Sequence, residues 1–519
     1  MKKIILVVFT FHFSLFTFYC FSQPTIQWAK CLGGSGDDEG YCICQTNDGG
    51  YIVGGFSNSH DGNLDSTNLG GTWIVKLDAN GVIKWERSYG GAFYSENPNS
   101  IIQTSDGGYI FAGNIGDSIF GYHGGGDAWV VKLDDTGNVQ WQKCYGGTGN
   151  DLAESILQTN DGGFIFTGQT LSNDGDVIDN HGNDDAWIVK LDDTGAIQWS
   201  KCYGGTNIDG FSSIKQLNDS GYILAGGTCS NDGNINFNHG SGDAWIIKID
   251  SIGNIQWGKT YGGSGSDEFI NILPIGNGYI AVGNSNSNDG DVVGFHGGLS
   301  DYWIVKLNDS GAIEWQHCYG GTDQDQFVSF VQTPDGGYAM GGYTLSTDVD
   351  VNGNHGASDY WIVKTDTNGI IQWSQCYGGY GGDNANQMIL ANDRGLVIVG
   401  LTDGTGGEVT GYKGGLWDYW VVKLAPDSMV GIDEVQDKSF LSKIYPNPNN
   451  GNFSLEYNLQ SAGTFNLYDV LGQELLKEPL QGEAGIQNIY TVDLSSGIYF
   501  WEVATSNGVA AKGKIGIIK

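Results

Sequence analysis

A tryptophan recurs along this chain at a fixed spacing. Trp141, Trp199, Trp257, Trp315 and Trp373 each end the pattern Ile/Val-x-Trp and lie 58 residues apart, with Trp85 standing 56 before the first. A second series, Trp73, Trp129, Trp187, Trp245, Trp303, Trp361 and Trp420, opens the pattern Trp-Ile/Val-Ile/Val-Lys at nearly the same period. Self-similarity at such a period declares a repeat architecture and outranks any local reading. The second series gives seven copies of one unit.

The third copy shows the plan. Residues 154–159 (ESILQT), the turn Asn160-Asp161-Gly162-Gly163 and residues 164–168 (FIFTG) make a hairpin signal. Residues 186–191 (AWIVKL), the turn Asp192-Asp193-Thr194-Gly195 and residues 196–199 (AIQW) make a second. Each unit therefore holds four short strands, A to D, and glycine breaks every helical window. In the C strand Trp187, Val189 and Leu191 point one way and Ile188 the other. Two apolar faces require cover on both sides. Four-stranded antiparallel sheets set radially, each between two neighbours, satisfy that requirement, and such rings run to about four to eight blades. The predicted fold class is all-β: a seven-bladed β-propeller over 23–424, followed by a small C-terminal β-sandwich. The Asp-x-x-Gly-x-Ile-x-Trp stretch also resembles the tryptophan-docking repeats of quinoprotein-type propellers, as a blade pattern alone.

The two ends choose between a ring and an open stack. Ile26-Gln27-Trp28 has no Trp-Ile-Val-Lys strand before it, and Trp420-Val421-Val422-Lys423 has no Ile-x-Trp after it. A stack would leave two incomplete units with bare edges. A ring lets the N-terminal strand complete the last blade. A solenoid of stacked repeats is the competing architecture.

The chain has 85 Gly and only 8 Pro, as a fold of many tight turns requires, and a net charge of −35. That acidity excludes nucleic acid and anionic membrane surfaces as partners, since both need a basic footprint. Residues 1–22 have the form of a signal peptide: Lys2 and Lys3 precede an apolar segment, and Cys20-Phe21-Ser22 lie before Gln23. No other segment is long enough to span a bilayer, so no transmembrane segment is expected after signal removal. Cys31, Cys144, Cys202, Cys318 and Cys376 share one repeat position. Facing sheets lie about 10 Å apart, beyond disulfide reach, so each is expected to fill a small apolar pocket. Cys42, Cys44 and Cys229 are left open to pairing.

Residues 425–442 read as a polar linker. Beyond it come Tyr445-Pro446-Asn447-Pro448, Gly451-x-Phe453, Tyr468-Asp469-x-x-Gly472 and Leu494-Ser495-Ser496-Gly497-Ile498-Tyr499. Several dispersed elements in this order resemble the C-terminal sorting domain of the type IX secretion system of Bacteroidetes, over 443–519. The resemblance implies passage across the outer membrane with the type IX machinery as partner, removal of the domain, and release or attachment at the cell surface.

The A–B and C–D connections are minimal turns, so function falls to the D–A and B–C connections, which share one rim. The D–A connection repeats Tyr-Gly-Gly followed by Asp151, Asp209, Asp267, Asp325 and Asp383, with Asp38 equivalent after Leu32-Gly33-Gly34 and Ser95 standing there in the second unit. The B–C connection repeats Ser-Asn-Asp-Gly-Asp and then His-Gly, giving Asp174, Asp176 and His181, Asp232 and His239, Asp289, Asp291 and His296, and Asp348, Asp350 and His355. One reading makes these turn-capping residues, with the histidines bonding between adjacent loops. The other makes the Asp-x-Asp loops calcium sites, because clustered oxygens suit a hard cation. One His per blade supplies too few ligands for zinc. The repeated tryptophans read as packing, their indole N–H groups bonded to carbonyls of neighbouring blades, with Trp417 outside the series.

No nucleophile elbow, phosphate loop or metalloprotease motif occurs. The expected function is a secreted or cell-surface binding protein without enzymatic activity, recognising a glycan or a surface protein. The alternative is a polysaccharide hydrolase or lyase using acids of the rim. Near-identical repetition argues against it, since catalysis needs a few unlike residues. A quinoprotein dehydrogenase ranks last, because no vicinal cysteine pair is present.

Overall fold

The computed structural model describes residues 23–64, 70–90, 96–116, 121–426 and most of 442–517. The signal segment and residues 427–441 of the linker lie outside the described residues. The repeat region and the C-terminal part are separate compact units, taken here one at a time.

The repeat region forms seven four-stranded antiparallel sheets. In the third sheet Asp151–Gln158, Phe164–Thr170, Asp185–Leu191 and Ile197–Tyr203 pair in chain order as strands A to D. The C strand is buried on both faces along its whole length, which explains its unbroken apolar run. Strand A begins at Asp38, Asp151, Asp209, Asp267, Asp325 and Asp383 in six sheets and at Asn97 in the second.

The ring is closed. Ile26–Leu32 pairs with Asp418–Leu424 as the D strand of the seventh sheet, with Trp28 opposite Lys423 and Cys31 opposite Trp420. Next to it the seventh and first sheets are bonded directly. The Tyr419 hydroxyl donates to the Trp73 carbonyl at 3.0 Å, and the Ile43 N–H to Gln387 Oε1 at 2.6 Å. Ile43, Val53, Trp73, Val397, Val399 and Val421 share one apolar core across that seam. An open stack has no such contacts, so the solenoid is excluded.

One D-strand tyrosine locks each of the first six sheets to the next, and Leu32 stands at that position in the seventh. The hydroxyl of Tyr145 donates to Gly195 O at 2.6 Å, Tyr203 to Gly253 O at 2.6 Å and Tyr261 to Gly311 O at 2.7 Å. From the sixth sheet Tyr377 uses Pro24 O of the seventh instead, at 2.8 Å. The accepting glycine ends the C–D turn at positive φ, 74° for Gly195, and a Cβ there would stand 2.9 Å from the Trp141 ring. Conformation and space both demand glycine.

The C-strand tryptophans are at most 1% exposed, and burying an indole of about 200 Å² contributes up to about 5 kcal/mol. The D-strand tryptophans are mostly half-buried and cover the next C–D turn; Trp28 Nε1 donates to Ala79 O. Trp28 thus finds the expected carbonyl of a neighbouring blade, whereas three C-strand indoles are partnered differently. Trp73, Trp187 and Trp303 donate to Glu86, Ser200 and Gln316 of the D strand in their own sheet, not to a neighbouring blade. In five sheets the repeated C-strand lysine is also buried and bridges the A–B turn, as in Lys76–Asp48 at 2.8 Å and Lys190–Asp161 at 2.9 Å. Against its partial burial, the bonds from Lys76 hold the Asp48 pKa down at about 2.

All eight described cysteines are free thiols, Cys42, Cys44 and Cys229 included. Burial pushes Cys31, Cys144 and Cys202 up to about 12, so they behave as packing groups.

The C-terminal unit has a three-stranded sheet of Ser442–Tyr445, Asn452–Asn458 and Ala484–Tyr490. Its four-stranded sheet orders Glu474–Pro479, Gly463–Tyr468, Gly497–Thr505 and Gly508–Ile517. Phe453, Leu455, Phe465, Leu467, Trp501 and Ile515 fill one core. Gly451 takes φ 97° ahead of its strand, Asp469 Oδ1 accepts the Gln473 N–H, and the Tyr499 hydroxyl donates to Ser495 O. Pro446, Asn447, Pro448 and Gly472 lie outside the described residues.

Candidate functional site

The D–A aspartates are buried, at 2% exposure or less. Asp209 accepts from the Gly205 N–H at 2.7 Å, from the Ser230 hydroxyl at 2.7 Å and from the Thr228 hydroxyl. Asp151, Asp267, Asp325 and Asp38 repeat this three-donor arrangement with Gly147, Gly263, Gly321 and Gly34. Asp383 accepts from the Gly379 N–H at 2.6 Å. The five three-donor carboxylates tie the D–A loop to the end of strand B, and none of the six presents itself to solvent. In the second sheet the ladder aligns Pro98 with Gly113 as it aligns Gly40 with Gly55, so Glu96 and not Ser95 takes the aspartate's place. One extra residue after Tyr89 shifts the count, and Ser95 itself lies outside the described residues.

The B–C aspartates latch the same loops from the other side. Asp174, Asp232, Asp289 and Asp348 accept the N–H groups of Thr148, Thr206, Ser264 and Thr322 at 2.6–2.9 Å. Asp176, Asp291 and Asp350 accept from Gly146, Gly262 and Gly320 at 3.4 Å. B–C and D–A connections thus share one rim. Among the described residues no three His, Cys, Asp or Glu side chains stand close enough to share a metal ion.

The histidines bond within their own loops and not between adjacent ones. His181 Nδ1 pairs with Asp185 Oδ2 at 2.5 Å, and His296 and His355 pair with Asp301 and Asp359 at 2.8 and 2.7 Å. His239 pairs with Asp243. Each histidine caps the aspartate that opens strand C, and those aspartates are fully buried.

Carboxylates of neighbouring sheets meet at these seams. Burial, with the Asp38 carboxylate across the closing seam, raises Asp418 to about 7, and burial with Asp359 and Asp403 nearby raises Asp383 to about 6. Asp301 is raised by burial as well. A carboxyl held above its unfolded value of about 3.9 binds its proton more tightly when folded. The resulting stability is fully present below about pH 4 and is lost as pH rises through 6 and 7. The melting temperature is therefore expected to fall between pH 5 and pH 8 in scanning calorimetry at fixed ionic strength. A rise over that interval would contradict the assignment.

The A strands enclose a central cavity of about 650 Å³. At the fourth position of six A strands, and the third of Asn97–Gln103, the ladder slips by one residue, for example between Ala153 and Ser155, and the bulged residue lines the cavity. The seven bulged residues are Tyr41, Asn99, Glu154, Ser212, Ile270, Val328 and Asn386. No two neighbours around this ring have the same chemistry except Ile270 and Val328. The following position stitches the A strands together: Ser329 Oγ donates to Met388 O, and Ser100 Oγ accepts the Ile156 N–H. Asn99 and Asn386 donate to Ala153 O and Gly40 O of adjoining sheets. Glu154 and Lys215 are the charged residues of the cavity wall.

Residues 443–518 match the family model for the secretion system C-terminal sorting domain. The chain carries a type IX sorting domain at its C-terminus. That sorting domain marks the protein for export, to the medium or to the cell surface. No described helix is long and apolar enough to cross a membrane. The solved structures similar to this chain include the WD40 domain of Pan2 from Neurospora crassa, at 10% identity and TM-score 0.42, covering 75% of this chain and 89% of that one. A fungal alcohol oxidase of the AA5 family in complex with copper is similar at 12% identity and TM-score 0.45, over 96% and 100%. The BBS1N structure in complex with ARL6DN is similar at 10% identity and TM-score 0.40, over 78% and 97%. No curated protein sequence matches the chain.

Proposed function

We propose that the exported propeller is a binding protein without enzymatic activity and that its ligand occupies the central cavity. One observation carries this reading: the repeat is kept everywhere that packs and abandoned where the A strands bulge into the cavity. Repeated residues serve repeated contacts, whereas a ring of unlike side chains gives a ligand an orientation. The rim aspartates support the scaffold, since their oxygens already accept backbone and hydroxyl donors. That leaves them poorly placed as the acids of a hydrolase or lyase.

The test narrows the cavity and leaves the rim intact. Ser212→Trp is expected to abolish retention of the ligand found by glycan-array and surface-protein screening, with the melting temperature preserved. Undiminished binding would move the site to the rim. Turnover of any polysaccharide in a hydrolysis panel would overturn the binding reading itself.

The calcium reading of the Asp-x-Asp loops has its own check. The melting temperature is expected to be the same in EDTA and in millimolar calcium, because Asp174, Asp232, Asp289 and Asp348 accept backbone N–H groups without a cation. A shift of several degrees would reassign those loops as calcium sites. Deleting residues 443–519 is expected to trap the protein in the periplasm, read by cell fractionation; normal export would count against the domain's role.

A further inference from the structure

The cavity wall holds two charges that the protein leaves uncompensated. Glu154, on the A strand of the third sheet, and Lys215, on that of the fourth, line the cavity and are half-buried. Neither makes a hydrogen bond or ion pair among the described residues. Burial alone raises the Glu154 carboxyl and lowers the Lys215 ammonium, with no charged neighbour easing either. An unpaired charge on a desolvated wall costs free energy. The fold keeps two such charges of opposite sign facing one space, beside the apolar side chains of Ile270 and Val328.

The register sets how far apart they stand. Asp151 and Asp209 open equivalent strands, so Glu154 is equivalent to Ser212, three positions before Lys215. Three positions along a strand span about 10 Å. Two charge-assisted hydrogen bonds take about 2.8 Å each, leaving about 4 Å before allowing for the lateral gap between sheets. The lateral gap between the two sheets adds to this and brings the span to the scale of a dipeptide backbone. A volume of 650 Å³ also exceeds what one free amino acid would fill.

Resting on the cavity as the binding site, we propose that its ligand is a short zwitterionic peptide with apolar side chains. Its N-terminal ammonium donates to the Glu154 carboxylate and its C-terminal carboxylate accepts from Lys215 Nζ. A side chain lies against Ile270 and Val328. Binding gives both wall charges a partner, which a neutral ligand or a singly charged one does not do.

The test uses the mature full-length chain and three probes: L-leucyl-L-leucine, its N-acetyl form and its C-terminal amide, titrated by isothermal calorimetry. The free dipeptide is expected to bind, and each capped form about tenfold or more weaker, since each lacks one charge-assisted contact. Glu154→Gln is expected to erase the preference for the free over the acetylated N-terminus and keep the preference against the amide. Lys215→Met is expected to do the reverse. A merely structural role for these side chains would not produce that crossed pattern. Equal binding of all three probes overturns the proposal, as does absence of binding by the free dipeptide at millimolar concentration. If the dipeptide fails while a screened ligand is lost in Ser212→Trp, the cavity stands and the zwitterion falls. If Ser212→Trp leaves every binding event intact, both fall.

Discussion

A chain that begins at Gly33 is expected to melt about 5–10 °C below one that begins at Gln23. The missing segment is the D strand of the seventh sheet, whose ladder runs from Ile26 opposite Leu424 to Leu32 opposite Tyr419. Its loss removes more than that ladder. Cys31 and Leu32 leave the core, the Ala425 N–H loses Thr25 O, and the Tyr377 hydroxyl loses Pro24 O. Ladder bonds contribute about 1 kcal/mol each and each buried apolar side chain about 2 kcal/mol, so the sum exceeds about 5 kcal/mol. The strand Asp418–Leu424, buried along its whole length in the intact ring, is then an unprotected edge, and aggregation on heating is expected with the lower melt. Differential scanning calorimetry with light scattering reads both. A truncated chain with an unchanged melt would mean that the seam carries no load.

The second large effect is expected inside one blade. Asp209→Ala strands the Gly205 N–H and the hydroxyls of Thr228 and Ser230, all beneath a surface that water does not reach. Each buried donor left unmade costs about 1–3 kcal/mol, which sets the loss near 4 kcal/mol or more. Asp209→Asn keeps the shape and one acceptor, and is expected to lose roughly half as much. Urea titration followed by tryptophan fluorescence reads the difference through the midpoint. A loss below about 1 kcal/mol for the alanine variant would place the residue on the solvated rim, where a ligand-binding role becomes the better account.

The fold was legible because its packing repeats. Trp187 meets the same walls as Trp245 and Trp303, so one environment prints one residue at one spacing, and the orphan strand around Trp28 announces the closure. The rim was legible as a pattern and not as a role. Asp209 and Asp174 look alike as letters in polar loops, and only burial and donor geometry separate a carboxylate sealed under strand B from one latched at the edge. Glu96 escaped because one inserted residue breaks the count from Tyr89. The cavity wall escaped for the opposite reason. Tyr41, Asn99, Glu154, Ser212, Ile270, Val328 and Asn386 form the column in which aligned units agree least, and reading for repetition passes over such a column. Comparing the units for their most variable apolar-strand position would have found it, although nothing in the letters says that a bulge turns that position inward.

Everything rests on the closed circle, and a cysteine pair across the seam tests it most directly. Ala29 and Val422 face each other in the closing ladder, a pairing within disulfide reach. The variant Ala29→Cys with Val422→Cys is expected to form an intramolecular disulfide in a monomer under mild oxidation, identified by peptide mass mapping, with a raised melting temperature. Two thiols that stay free, or a bridge found only between chains, would show the ends apart and contradict the ring.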